Sequence, residues 1–494
     1  MTAPPAAPEA EAFRLMRAGR LAEALVFAER AVAGKAACSP SHGLLATILL
    51  RLGRSSDADA VVENAMKRAT GVADAYDALA YVSLAMGRHE RANELYRRAA
   101  ELAPDIPRHW YNLASSERSF GRLAPAEAAC DRAIALDARE YPSYLLRSEL
   151  RVQTAAANHI DELRRELARA GLEDRARVFL AYALGKELDD LGRYGEAFAY
   201  FAEAASIRRR HLAYDVAVDE RKLRRIAEVF PRESGRTTSS PDDSARFVFI
   251  VGLPRSGTTL VERILTGLAG VRSNGETDHF AGALLAASPQ AQPGADPEVA
   301  DVFARAARAD WSAVATGYAR RADPGGGTET LVEKLPMNYL YLGAIHRALP
   351  RARLVLVSRS PLDGCFAMYR TLFREAYPFS YDFQDLARYY AAYSTLIAHW
   401  RNTLGEAIHE VRYEELVGDP LRTGAALARA CGLEWNDSAV EVERNTAVSF
   451  TASAAQVRRP IYRSSSGRWR HYRAQLEPLV AALRRSGVAL PELD

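Results

Sequence analysis

A Gly-Arg pair recurs in the N-terminal part of this 494-residue chain at a constant interval of 34 residues, beginning at Gly19, Gly53, Gly87 and Gly121. An alanine stands five residues after each glycine, and a second alanine stands seven residues further on. Glycine can end a helix because it adopts the left-handed backbone that a tight turn requires. Alanine lets two helices approach closely because its side chain is small. The interval therefore predicts stacked helix–turn–helix units, each burying its apolar face against the next.

This interval and its turn resemble those of the tetratricopeptide repeat, which has the same length. The turn returns at Leu191-Gly192-Arg193, after a stretch, Glu140–Leu172, that has a helical pattern but no Gly-Arg pair. We therefore predict an all-α solenoid of about six helical pairs, one of them degenerate, over 11–210. Its concave face is expected to bind a peptide or partner protein, and packing support for the rest of the chain is the alternative.

Shifts in composition suggest the other boundaries. Residues 1–10 are rich in proline and alanine and are predicted to be disordered. Residues 211–244 are predicted to form a charged helix and then a linker, because 231–244 (PRESGRTTSSPDDS) is polar and rich in helix breakers. Residues 245–494 are predicted to form the second domain.

Global composition excludes several function classes. The formal net charge of +3 is too balanced for a dedicated nucleic-acid-binding protein. No run approaches the ~18 apolar residues of a membrane span. The four cysteines lack the spacing of metal ligands or of a disulfide framework, which fits a reducing, cytoplasmic compartment. Five of the 65 basic residues are lysines, a bias consistent with a GC-rich bacterial source, so a lysine in a candidate site stands out. The sequence leaves the oligomeric state open.

A glycine-rich loop follows the first predicted strand of the second domain. Phe247–Val251 is a short apolar run typical of a buried strand, and helical periodicity begins at Thr258. The loop between them has the spacing of a phosphate-binding loop, which presents backbone N–H groups and a helix N-terminus to an anion. Thr258 occupies the position of the lysine that P-loop enzymes use on nucleotide phosphates, which argues against an ATPase or kinase. Arg255 offers a planar cation instead.

The run Pro254-Arg255-Ser256-Gly257-Thr258-Thr259 resembles the 5′-phosphosulfate loop of the sulfotransferase family. Enzymes of that family take a sulfuryl group from 3′-phosphoadenosine 5′-phosphosulfate (PAPS) and release PAP, and no metal is implied. The resemblance implies that the run contacts the 5′ side of the nucleotide and that Arg255 holds the transferred group. It also implies an α/β, P-loop-like domain with a central, mostly parallel sheet.

A second segment, Ala352–Arg370, is similar to the family's 3′-phosphate element. Arg359 follows a predicted strand, as does the family's phosphate-binding arginine. The family's serine, eight residues later, is replaced here by Ala367. Arg370 and Ser360 are both near enough in sequence to substitute for it, and the sequence does not choose between them.

Two further segments resemble parts of the same nucleotide site. Tyr413 follows a short predicted strand and matches a tyrosine that contacts the adenine side in the protein-tyrosine branch. Ser466, Gly467 and Arg468 lie in a basic segment, Gln456–Tyr472, that is similar to the loop closing over the nucleotide. In the family that loop brings a cation to the 3′-phosphate, and Arg468 occupies its place.

Glu276 is the favoured general base, since protein-tyrosine sulfotransferases carry a Gly-Glu pair at about this distance from the loop arginine. His279 is the rival, because cytosolic sulfotransferases use a histidine and its ordinary pKa suits proton transfer. Lys334 follows an apolar predicted strand, which places it at the carboxyl edge of the sheet. Its ammonium could donate a proton to the leaving oxygen, whereas a guanidinium could not.

These features predict a sulfotransferase that moves a sulfuryl group from PAPS to a hydroxyl acceptor, a tyrosine of a peptide or protein held with help from the repeats. The same chemistry on a glycan, lipid or small metabolite is the first alternative. The second is a repeat scaffold whose sulfotransferase-like domain is inactive, which the replacement at Ala367 favours and the retained site residues oppose.

Overall fold

A computed structural model describes residues 7–33, 37–68, 71–231, 242–290, 301–373, 376–449, 451, 453–491 and 493. The chain divides into two compact units, Met1–Val152 and Gln153–Asp494. The predicted linker at 231–244 and the predicted disordered N-terminus both fall largely outside the described residues. The first described helix already begins at Pro8.

The first unit is a stack of helical hairpins followed by one shorter helix. Its helices are α1 (Pro8–Arg17), α2 (Leu21–Val32), α3 (Pro40–Arg51), α4 (Ser55–Met66), α5 (Ala73–Ala85), α6 (His89–Leu102), α7 (Pro107–Ser119), α8 (Leu123–Leu136) and α9 (Tyr141–Glu149).

The Gly-Arg interval explains these hairpins. Gly19, Gly53, Gly87 and Gly121 separate the helices of successive pairs, and each has a φ between 72° and 77°. An L-residue with a side chain adopts this left-handed backbone at a cost, whereas glycine does not. The alanines five residues later are fully buried where the paired helices meet, as are most of the second set; they are Ala24, Ala58, Ala92, Ala126, Ala65, Ala99 and Ala133. The predicted helical-repeat fold is confirmed.

The second unit begins with four helices, α10 (Ile160–Leu167), α11 (Asp174–Asp190), α12 (Tyr194–Arg210) and α13 (Val216–Val229). Helices α11 and α12 form a hairpin around Gly192, whose φ is 75°. The division between the units falls within the stretch that lacks the Gly-Arg turn. The predicted domain limits at 210 and 245 therefore lie inside the second unit, and they remain a proposal about where the repeat pattern stops.

A five-stranded parallel sheet forms the centre of the second unit. Its order is β2-β3-β1-β4-β5, so that the first strand lies in the middle. The strands are β1 (Phe247–Gly252), β2 (Val271–Gly275), β3 (Thr330–Glu333), β4 (Arg353–Ser358) and β5 (Ile408–Arg412). Every residue of β1 is buried, as a central strand covered on both faces requires.

Helices cover both faces of this sheet. Val248 and Ile250 of β1 pack with Val261 and Ile264 on one face. Phe249 packs on the opposite face, against the rings of Phe280 and Tyr318. The described helices of this part are α14 (Thr258–Leu265), α15 (His279–Ala287), α16 (Val302–Ala306), α17 (Trp311–Ala322), α18 (Leu342–Ala348), α19 (Pro361–Tyr369), α20 (Phe383–Leu404), α21 (Tyr413–Gly418), α22 (Pro420–Ala430) and α23 (Glu477–Arg485).

Within the described ranges, every helix is too short or too polar to cross a lipid bilayer. The four cysteines, Cys38, Cys130, Cys365 and Cys431, are buried free thiols.

Candidate active site

A predicted site residue follows the end of every strand. Glu276 follows β2, Lys334 follows β3, Arg359 follows β4 and Tyr413 follows β5, while the loop containing Arg255 follows β1. Because all five strands are parallel, these ends lie along one edge of the sheet, where open α/β folds bind their ligands. A cavity at this edge is lined by Arg255, Glu276, Arg359 and Tyr413, among others.

The loop after β1 turns sharply into α14. Arg255 and Gly257 both have a positive φ, of 66° and 104°. A Cβ atom added to Gly257 would lie 2.4 Å from the Tyr413 ring, so that this position has room for glycine alone. Turns with left-handed residues bring successive N–H groups into a concave surface that binds anions. The first N–H groups of α14 likewise have no acceptor within the helix.

The side chain of Arg255 is held by the C-terminal part of the chain. Its Nη1 donates to Ser453 Oγ at 2.5 Å, and its Nη2 donates to Gln456 Oε1 at 2.8 Å. Both partners also line the cavity. The guanidinium is therefore oriented by two neutral acceptors that come from about 200 residues further along the chain.

The rest of the predicted loop divides between the cavity and the core. Pro254, Thr258 and Thr259 line the cavity. The hydroxyl of Thr259 also donates to Thr451 Oγ1 at 3.3 Å. Ser256 is buried and does not contribute to the lining.

Arg359 and Tyr413 contact each other and also contact the loop after β1, at the Arg255 carbonyl and at Gly257. The Arg359 guanidinium lies over the Tyr413 ring, 4.7 Å from its centroid. Its Nη1 donates to the Arg255 carbonyl at 2.9 Å, and its Nη2 donates to the Ser465 carbonyl at 2.5 Å. The Tyr413 hydroxyl hydrogen-bonds to Ser465 Oγ. Burial raises the pKa of Tyr413, although the nearby Arg359 charge acts in the opposite direction.

Glu276 lines the cavity and forms an ion pair with Lys334, which does not line it. The Lys334 ammonium donates to Glu276 Oε1 and lies 3.8 Å from Glu262 Oε2. The Lys334 side chain is fully buried, whereas that of Glu276 is 38% exposed. Glu276 therefore presents a carboxylate to the cavity, and Lys334 supports it from the protein side.

His279 lies at the first position of α15 and does not line this cavity. Burial lowers the pKa of its imidazole. Of the two candidate bases, Glu276 is the one placed at the cavity.

The structure brings Arg370 and Arg468 together on a residue that sequence analysis missed. Arg370 Nη1 and Arg468 Nη2 donate to the same oxygen of Asp189, at 2.5 and 2.6 Å. Arg370 also lines the cavity, whereas Arg468, Ser466 and Gly467 do not. The Gly467 N–H donates to Asp363 at 2.5 Å, so that a second buried carboxylate holds this loop.

Sequence reasoning also missed several lining residues. Ser465 takes the position at the cavity that was assigned to Ser466. Ala367 lines the cavity, as its alignment with the family's serine predicts, while Ser360 does not. The other missed residues include Phe373, Tyr377, Ser453, Gln456, Arg459 and Tyr462. Arg459 and Tyr462 lie in the basic segment Gln456–Tyr472, so the basic and aromatic composition of that segment is the signal that could have found them.

The cavity is strongly cationic. Among the described residues that line it, four are arginines and one, Glu276, carries a carboxylate. Such a surface suits a ligand with several negative charges, because charge-assisted hydrogen bonds are the strong ones. In the part of the chain that the structure describes, His, Cys, Asp and Glu side chains form no cluster of three or more with metal-ligand geometry.

Comparisons with known proteins agree with this arrangement. Residues 248–437 match the model of the sulfotransferase family, and residues 73–116 and 182–215 match two tetratricopeptide-repeat models. An uncharacterized protein of Aquifex aeolicus is 28% identical over 389 residues, which is 76% of this chain; the chain spans 50% of that relative's length.

Two solved structures are among those to which the chain is similar. The sulfotransferase domain of the Synechococcus PCC 7002 olefin synthase is 17% identical, with a TM-score of 0.37, over 52% of this chain and 100% of that one. Sulfotransferase STF1 of Mycobacterium tuberculosis is 15% identical, with a TM-score of 0.28, over 64% of this chain and 96% of that one. At this level of similarity neither structure assigns a role to a residue here. Together with the sheet and the repeats described above, these matches show a chain of tetratricopeptide repeats that also carries a region, 248–437, matching the sulfotransferase family.

Proposed function

We propose that this protein transfers a sulfuryl group from PAPS to a hydroxyl acceptor, a tyrosine of a peptide or protein bound with help from the repeats. The observation that carries the proposal is the cavity at the strand ends, which joins a glycine loop and arginines to one carboxylate. The loop and the arginines would bind a multiply charged nucleotide, and the carboxylate would take a proton from an acceptor.

The residues present fit PAPS. The close packing of Gly257 against Tyr413 leaves a narrow loop whose backbone can approach an anion. Pro254–Thr259 would hold the 5′ groups, Arg359 and Arg370 the 3′-phosphate, and Tyr413 the adenine side. When bound, PAPS supplies an activated sulfuryl group, whose bond to a phosphate oxygen breaks as the acceptor oxygen bonds to sulfur.

Two residues would take part in proton transfer and in stabilising the charge on the leaving oxygen. The Glu276 carboxylate would accept the proton of the acceptor hydroxyl, because it faces the cavity. Lys334 lies behind Glu276 and outside the cavity lining, and we propose that its charge would act from there on the oxygen that departs. Its contact with Glu276 also fixes the orientation of the base. Arg255, oriented by Ser453 and Gln456, would neutralise charge on the transferred group.

An aromatic wall beside the base supports a tyrosine acceptor. Phe373 and Tyr377 line the cavity with Glu276, and their ring centroids lie 4.8 Å apart. Edge-to-face packing is a favourable arrangement for aromatic rings, so a phenol could pack here with its hydroxyl toward the base. Tyr377 has a φ of 54°, a conformation that a residue with a side chain adopts at a cost and that often occurs at functional sites.

The repeats supply a surface for a protein partner. In the first unit, helices α1, α3, α5, α6 and α7 line a groove with Phe13 and Tyr81 exposed along it. Exposed aromatic side chains of this kind are common anchors in protein interfaces. We propose that this groove binds the acceptor protein.

The four free thiols support the reducing, cytoplasmic location expected from the sequence.

Calorimetry tests the nucleotide part of the proposal. We expect micromolar binding of PAP to the full-length chain and no binding of ATP. Absence of PAP binding would refute the proposal, and equal affinity for ATP would point to a nucleotide site of another kind.

A labelling experiment tests the acceptor. The protein is incubated with radiolabelled PAPS and cell extract, which is then separated into protein and small-molecule fractions. Label in the protein fraction supports a protein acceptor, and label in the other fraction supports a glycan, lipid or metabolite. PAP binding without label in either fraction would favour the inactive scaffold.

A further inference from the structure

A buried carboxylate behind the cavity joins three side chains from two distant segments. Asp189, near the end of α11, is 2% exposed. It accepts hydrogen bonds from Arg370 and Arg468 on one oxygen and from the Tyr472 hydroxyl on the other. Burial by itself would raise the pKa of Asp189, but the two arginines and the Tyr472 hydroxyl together outweigh that effect and lower it. The carboxylate is therefore charged and fully engaged.

The repeat architecture does not require a carboxylate at this position. The carbonyl of Asp189 accepts the N–H of Gly192 in the Gly-Arg turn of its hairpin. The residues that make the same bond in the earlier hairpins are Met16, Leu50, Leu84 and Arg118. Three of these four are apolar, so an acidic residue here is a departure from the repeat pattern. Its contacts with Arg370, Arg468 and Tyr472 give that departure a purpose.

Of the two arginines, Arg370 reaches the cavity. Arg370 holds Asp189 with one terminal nitrogen and still lines the cavity. A guanidinium has five N–H donors in a rigid fork, so that one edge can be fixed by a carboxylate while another faces a ligand. Asp189 therefore determines how the Arg370 donors are directed.

The other two contacts fix the C-terminal loop. Arg468 and Tyr472 follow Ser465, which lines the cavity and bonds to Arg359 and Tyr413. Removing the Asp189 charge would leave two guanidinium groups without their shared carboxylate, which is costly for groups that are largely removed from water. The loop would then lose one of its attachments to the rest of the unit.

We propose that Asp189 is a positioning residue of the nucleotide site: it directs Arg370 toward the cavity and holds the C-terminal loop against it. Helix α11, which belongs to a tetratricopeptide hairpin, thereby becomes part of the scaffold for nucleotide binding. This inference rests on the proposed function, because it assigns the nucleotide as the ligand that benefits.

The test compares Asp189→Asn with Asp190→Asn in the full-length chain. Asp190 is the neighbouring acid on the same helix. It pairs with Lys186 at 2.6 Å and accepts the N–H of Gln153 at 2.8 Å, and both of these partners lie outside the C-terminal loop. We expect Asp189→Asn to weaken PAP binding by about 10- to 100-fold, the range for losing a hydrogen bond to a charged group. The KM for PAPS should rise similarly while kcat changes little. The control should bind PAP as the wild type does. Equal or tighter PAP binding by Asp189→Asn would overturn the proposal.

Amide hydrogen exchange separates this inference from the proposed function. Without nucleotide, residues 463–472 should exchange faster in Asp189→Asn than in the wild type or the control. If the wild type binds no PAP, the proposed function fails, while the exchange still decides whether Asp189 holds the loop. Should Asp189→Asn fail to fold, Tyr472→Phe removes one hydroxyl and keeps both arginine contacts. That variant should show a smaller loss of affinity with faster exchange, and no change in either would overturn the proposal.

Discussion

Replacing Gly257 by alanine should disable the nucleotide loop by displacing Tyr413. The added Cβ would lie 2.4 Å from Tyr413 Cδ2, so the ring would have to retreat by about 1 Å to reach ordinary van der Waals distance. The ring is 8% exposed and is confined by the Arg359 guanidinium and the Ser465 hydroxyl. A retreat of that size would break the contacts that join β5 to the C-terminal loop.

The magnitude follows from two costs. A side chain at the left-handed φ of 104° costs about 1–2 kcal/mol. Overpacking against a confined ring adds about 1–3 kcal/mol. We therefore expect Gly257→Ala to lower the free energy of unfolding by about 2–5 kcal/mol, and to weaken PAP binding at least about tenfold because the loop and Arg359 are displaced together.

Gly270→Ala is the matched control. Gly270 has a φ of 71°, and nothing lies within 4 Å of an added Cβ. This variant should lose about 1–2 kcal/mol of stability from the backbone alone and should keep its PAP affinity within about twofold. Chemical denaturation measures the first quantity and calorimetry the second. If both variants bind PAP as the wild type does, the packing of Gly257 against Tyr413 does not shape the site.

Three further predictions concern the ends of β2 and β3. Glu276→Gln should abolish transfer while changing PAP affinity by no more than a few-fold, and His279→Gln should remain active in the same assay; the reverse pattern would move the base to His279. Lys334→Met should lower the rate of transfer by about 10²- to 10³-fold at similar PAP affinity, as loss of one charge-stabilising group does; an unchanged rate would remove Lys334 from the mechanism. Burial raises the pKa of Glu333 to about 7 from an ordinary 4.5. Between these pH values the folded state keeps a proton that the unfolded state releases, so the free energy of unfolding falls as the pH rises through that window. Glu333→Gln should therefore gain up to about 3 kcal/mol relative to the wild type at pH 8 and little at pH 4, measured by urea unfolding; an equal gain at both pH values would contradict this reasoning.

Local patterns were sufficient to predict the framework. The Gly-Arg interval predicted the hairpins because one residue type, at one backbone conformation, ends the first helix of each. Apolar runs predicted β1 and β4 because a central parallel strand is buried on both faces. Lys334 was predicted from its position after an apolar strand, whereas Glu276, Arg359 and Tyr413 were predicted from the family resemblance. The parallel sheet explains why all four follow strand ends at one edge.

Contacts between distant segments were beyond such reasoning. The partners of Arg255 are Ser453 and Gln456, and nothing near Arg255 in the sequence indicates them. Asp189 lies 279 residues from Arg468, and it lies in a repeat hairpin, where the sequence pattern normally concerns packing alone. In the C-terminal loop, family resemblance placed the contact at Ser466, one residue beyond Ser465, because a loop without regular periodicity gives no register.

Arg359 and Arg370 differ in the partners that hold them in the cavity. Arg359 donates to two backbone carbonyls and lies on an aromatic ring, and these neutral partners leave its charge available to an anion. Arg370 shares the Asp189 carboxylate with Arg468, which offsets part of its charge and fixes its direction. If the site binds a nucleotide as proposed, Arg359 would supply most of the electrostatic attraction and Arg370 would mainly set the orientation of the ligand. Raised salt should therefore weaken nucleotide binding through Arg359 more than through Arg370, because a partly buried, paired charge is screened less than an available one.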